Sequence, residues 1–182
     1  MSIDSTSVNI RQEGWRHATA ATVSTYDAKG DRLDTVYIGR MPETAKRQAK
    51  RLLEKEVAAR MAQQDYKYIV CIADGARDLW RFFQRKYPDA IHVVDFFHVC
   101  EHLSNLSNLL FDDPSQAKAW YKKYRTILKE DPKGAAKMIR AARYRRSLIK
   151  GSPDIESEIK YLQHNRKRMN YFKLRQKKLP IG

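Results

Sequence analysis

At 182 residues and 42% hydrophobic content, the chain suits one domain, or one core with an appendage, and its composition argues against a largely disordered polypeptide. A formal charge of +15 and a pI near 9.9 point to a polyanionic partner, of which a phosphate backbone is the commonest. The charge is unevenly placed: residues 111–182 hold 20 Lys and Arg against 7 Asp and Glu, a net of +13, which leaves +2 for residues 1–110. With only two cysteines, Cys71 in a strand-like run and Cys100 in a helical one, a disulfide framework is not expected and both read as small buried hydrophobes. The first ten residues lack the order of a signal peptide, and no apolar run approaches about 18 residues. The expectation is a soluble protein of the cytoplasm.

Ser2 to Ile10 alternates in the manner of a strand. Trp15 to Tyr26 is rich in Thr, Ala and Val, Asp27-Ala28-Lys29-Gly30 supplies turn residues, and Leu33 to Ile38 is again β-like, so the three runs read as a meander. Met41-Pro42-Glu43 predicts a helix start, with Ala45, Ala49, Leu53, Val57 and Met61 as its apolar stripe. Tyr68 to Ala73 is a short strand ending at Asp74-Gly75, Arg77 to Tyr87 a helix stopped by Pro88, and Ile91 to Val94 a second strand ending at Asp95. Val99, Leu103, Leu106 and Leu110 then mark a helix, and everything beyond Asp112-Asp113-Pro114 reads as helix, with Ser152 capping a segment that opens on Pro153.

The order β-β-β-α-β-α-β-α is that of the ribonuclease H-like fold, a mixed α/β class. Residues 1–110 would form a partial core of this kind and residues 111–182 an all-helical basic insertion. In such a sheet the first and fourth strands are neighbours, so Asp4 and Asp74 would converge at one edge. Two close carboxylates repel one another, and a divalent cation, Mg2+ or Mn2+, is the natural relief. Asp95 reads as the N-cap of the helix beginning at Phe96, and His98 and His102, four apart, share a face with Glu101 nearby. No further His or Cys pair completes a zinc site, which favours capping and supporting roles for Asp95, His98, Glu101 and His102. Arg143, Arg145, Arg146, Arg166, Lys167 and Arg168, dense among aromatic residues, are candidate phosphate contacts. Trp120 and Tyr124 fit a core better.

The run IADGARDLWRFFQRKYPDAIHVVDFFHVCEHL resembles the central block of DDE transposases of bacterial insertion sequences. In that block a strand ending in Asp-Gly-Ala, a helix, and Asp-Phe-x-His-x-x-Glu-His-Leu follow in this order. Asp4 ahead of Gly14-Trp15-Arg16, and Tyr161 to Gly182 with its Leu-Pro-Ile-Gly, are similar to the same family. The resemblance implies a ribonuclease H-like catalytic domain, a Mg2+ or Mn2+ cofactor, and cleavage and transfer of transposon-end DNA into target DNA, hence nucleoid association and a possible homo-oligomer of the full-length enzyme. It implies Asp4 and Asp74 as the first two catalytic acids and metal ligands, with Asp95, His98, Glu101 and His102 accompanying them. The third acid should be a glutamate a few residues after Leu-Pro-Ile-Gly, so this sequence is expected to be a fragment truncated at both ends and inactive alone. Two alternatives stand beside it. One is a non-catalytic DNA-binding remnant that modulates a full-length transposase; the other is a doubly wound α/β protein binding a small ligand at the Asp74-Gly75 edge, for which the sheet would be all parallel.

Overall fold

Thr, Ala and Val alternate along Gly14–Tyr26, and this run forms the middle strand of an antiparallel meander. β1 (Ser2–Ile10), β2 (Gly14–Tyr26) and β3 (Arg32–Glu43) pair in succession, with Ile3 opposite Ala21 and Ala21 opposite Ile38. The computed structural model describes residues 1–12, 14–43 and 46–182, with the backbone alone at positions 17, 42 and 43. The β2–β3 turn is built by Asp27, whose carboxylate accepts the backbone N–H groups of Lys29 at 2.8 Å and Asp31 at 2.9 Å. Gly30 completes it at φ +88°, a left-handed conformation that costs glycine little.

β4 (Val70–Ala73) and β5 (Ile91–Val94) extend the sheet to the order β3-β2-β1-β4-β5, and β1 pairs with β4 in parallel. The sheet is therefore mixed, and the all-parallel sheet of the small-ligand alternative does not form. α1 (Arg47–Gln63) packs on β2 and β3, and α2 (Arg77–Lys86) follows β4. The sequence places the first helix start at Met41-Pro42-Glu43; instead β3 continues through Glu43 and α1 begins at Arg47. β3 is the outer strand of the sheet, where a proline removes no bond that a neighbour needs. Ala45 of the expected stripe lies outside the described residues. Ala49, Leu53 and Val57 are buried as the spacing predicts, whereas Met61 is exposed.

The chain divides into two compact units, residues 1–92 and 93–182, with the division inside β5. In the first, Ile3, Ala21, Val23, Leu53, Val57, Cys71, Leu79 and Phe83 form the core. In the second, α3 (Phe96–Leu110), α4 (Pro114–Glu130), α5 (Gly134–Ser147), α6 (Pro153–Asn165) and α7 (Tyr171–Gln176) bury Val99, Leu103, Leu106, Leu128, Met138, Ile155 and Leu162. α3 packs against α4, α5 and α6, which is why it groups with the helices although it follows a strand directly. Pro114 and Pro153 open their helices behind the caps Asp113 and Ser152, each of which accepts a backbone N–H. Among the described residues no helix is long and apolar enough to cross a membrane.

Candidate functional site

Residues alternate between the two faces of a strand, so the register between β1 and β4 decides what Asp4 and Asp74 can do together. Ser2 lies opposite Ile72 and Ile3 opposite Ala73. Asp4 is the next residue on β1 and Asp74 is the first residue past the end of β4, each one residue beyond a parallel pair and each following a buried residue. Neighbouring strands lie about 4.8 Å apart, so the backbone positions of the two aspartates are neighbours at this edge of the sheet. Asp4 is exposed and Asp74 half-buried. The Asp4 carboxylate accepts the Ser5 N–H at 2.6 Å, and that of Asp74 accepts the Ala76 N–H at 2.8 Å. The second bond closes a tight turn at Gly75, which sits at φ +106° and lets α2 start two residues later. Two hard oxygen ligands at a strand edge fit Mg2+ or Mn2+, which one or two carboxylates hold while water and phosphate oxygens complete the shell. Among the described residues no group of three or more His, Cys, Asp or Glu converges to bind a metal by itself.

Asp95 caps α3: its carboxylate accepts the N–H groups of Phe97 at 2.8 Å and His98 at 3.0 Å. The C-terminal residues lie against this cap. The Phe96 N–H donates to the Ile181 carbonyl at 2.9 Å, and Gly182, at φ +145°, sits where any side chain would collide with the Asp95 carboxylate. His98 Nδ1 lies 3.2 Å from Glu101, and His102 Nδ1 donates to Glu158 at 2.6 Å while its ring stacks on Tyr161 at 3.6 Å. The sequence reading misses Glu158 and Tyr161. Their only signal is position: they flank the buried Ile159 and Leu162 on α6, and α6 packs on α3. Glu158 and Tyr161 hold the His102 ring and tie α3 to α6, whereas the Glu101 that faces His98 belongs to α3 itself.

The six basic candidates divide. Arg143, Arg166 and Lys167 are exposed. Arg145 donates from Nε to the Leu110 carbonyl at 3.2 Å and lies 4.5 Å over the Phe111 ring, closing the C-terminal end of α3. Arg146 donates to Glu156 at 2.6 Å, and Arg168, half-buried, reaches the Asn165 side-chain oxygen at 3.5 Å, with burial holding its pKa below the ordinary arginine value. Trp120 and Tyr124 are half-buried and pack on each other at 4.7 Å. Burial pushes the Cys71 thiol up to about 12 and raises that of Cys100, so neither is a nucleophile at neutral pH. No protein-family model, curated protein or solved structure matches the chain.

Proposed function

We propose that the chain contributes two acidic metal ligands, Asp4 and Asp74, to a site of DNA strand cleavage and transfer of the DDE transposase type, on a ribonuclease H-like core followed by a basic helical insertion. The observation that carries this is the adjacency of Asp4 and Asp74, one residue beyond the Ser2–Ile72 and Ile3–Ala73 parallel register. A metal bound there would help activate a water or hydroxyl and stabilise charge on the phosphoryl oxygens. The chain's own work is positional. β1 and β4 fix the spacing of the two carboxylates, the Asp74–Ala76 bond and the Gly75 turn aim Asp74, and exposed cations of the helical unit hold DNA phosphates.

Titrating Mn2+ into the protein tests the assignment without requiring activity. Paramagnetic broadening should appear first at Asp4, Asp74 and Gly75 and weaken at least about tenfold in Asp74→Asn, a loss of about 1.4 kcal/mol. Broadening that Asp74→Asn leaves unchanged, or Mg2+-dependent nicking that survives this substitution, would overturn it. The basic surface also favours a second role, that of a DNA-binding modulator of a complete transposase. That role requires this chain to inhibit transposition by the full enzyme even when Asp74 is asparagine.

A further inference from the structure

A groove of about 520 Å³ runs between α5 and α6. α5 lines it with Arg143, Arg146 and Ser147, and α6 lines it with Glu156, Lys160 and Gln163. Its charges are not balanced. Glu156 is engaged by Arg146, whose guanidinium is also packed across Gly151, where any side chain would run into it. Arg143 and Lys160 are exposed and have no ion-pair partner among the described residues, so two cations from facing helices are left looking into one concave space. An anion between them relieves that repulsion. Gln163 adds a neutral amide of the kind that contacts phosphate and sugar oxygens, while the Ser147 hydroxyl donates to the Tyr144 carbonyl at 2.7 Å.

What surrounds the groove narrows the class of anion. Tyr144 follows Arg143 on α5 and is 68% exposed, an aromatic ring left in water beside a cationic wall. Arg140, also exposed, lies one turn before it and continues the row of positive charge along the helix. Cations that follow a backbone, with an aromatic platform beside them, are the pattern of single-strand binding, and a base can stack on such a ring only when it is unpaired.

We propose that the α5–α6 groove holds an unpaired DNA strand, with Arg143 and Lys160 on its phosphates and Tyr144 stacked on a base. This rests on the DNA-handling role proposed above and adds the state of the strand and the residues that meet it. The three side chains are exposed, so the variants should fold, and unchanged thermal melting checks that they do.

The test is fluorescence anisotropy of the 182-residue protein with a labelled oligo(dT) of about 12 nucleotides and with a hairpin duplex, across a salt series. Arg143→Ala with Lys160→Ala should weaken oligo(dT) binding about tenfold or more and make the slope of log K against log salt shallower by about 1.4, the share of two phosphates on a single strand. Tyr144→Ala should weaken oligo(dT) binding about fivefold or more, in line with the loss of one stacked base, while leaving the slope and the duplex affinity as they were. If the wild type binds oligo(dT) and the variants bind it equally well, the groove assignment is wrong and the Asp4–Asp74 assignment is untouched. If the double variant loses duplex and oligo(dT) affinity alike and Tyr144→Ala loses neither, the single-strand assignment is overturned. A wild type that binds no DNA overturns the groove and the DNA-handling role together.

Discussion

Asp34 on β3 meets Arg60 of α1 through paired contacts, 2.8 Å from each terminal guanidinium nitrogen, and also accepts the Thr25 hydroxyl. The Arg60 hydrogen bond, with help from Thr25, holds the Asp34 carboxyl far below the usual carboxylate range. A carboxyl whose pKa is lower in the folded than in the unfolded chain stabilises the fold above the unfolded value, about 3.9, and loses that contribution as pH falls toward the folded one. Asp34→Asn should therefore melt below the wild type at pH 7, and the gap should narrow in strong acid, starting as pH falls below about 3.9 and closing only as it nears the folded-state value. Melting curves at the two pH values decide it, and a gap that is constant with pH would show that the ion pair is not its source. The same scale explains what could be read from the residues. Asp95 is legible as a cap because a cap is local, an aspartate followed at once by a helical stripe. Arg145 is not separable from Arg143 by composition, since an arginine that closes a helix end and one that meets a phosphate look alike. The difference lies in the Leu110 carbonyl and Phe111 ring, which are distant in sequence.

Among the elements, the helices of the second unit are the most legible, because capping residues, prolines and apolar stripes agree within each segment. β3 and α1 are the least. Pro42 followed by Glu43 satisfies the local rules for a helix start, and only its place on the outer strand, a property of the whole sheet, lets β3 carry it. The tie between the end of β5 and α7 is likewise invisible locally. The Tyr171 hydroxyl, fully buried, donates to the Val94 carbonyl at 2.8 Å, and its ring meets Phe96 edge to face at 5.1 Å. Tyr171→Phe keeps the ring contact and removes the donor from a buried carbonyl, at a cost of about 1–3 kcal/mol. For a chain of this size each 1 kcal/mol lowers the melting temperature by about 2–4 °C. A variant that melts with the wild type would mean that Val94 is satisfied without Tyr171.

On the scale of the whole chain, charge follows the division into units. Residues 93–182 hold 20 Lys and Arg against 9 Asp and Glu, whereas residues 1–92 hold 16 against 12. If the DNA binding proposed above follows this asymmetry, duplex DNA contacts the helical unit and the cations of α2 are solvated charge. Salt dependence separates the two, because each phosphate neutralised by the protein contributes about −0.9 to the slope of log K against log salt for a duplex. Arg166 and Lys167 are exposed on a single helical turn that follows α6, and Arg81 and Arg85 are exposed on α2. Replacing Arg166 and Lys167 by alanine should make the duplex slope shallower by up to about 1.8 with no change in melting temperature, and the same change at Arg81 and Arg85 should leave the slope in place. The two double variants remove equal charge, so a uniform electrostatic effect would shift both slopes alike. A change confined to Arg81 and Arg85 would move the duplex to the first unit and leave the basic helices as a surface that serves solubility alone.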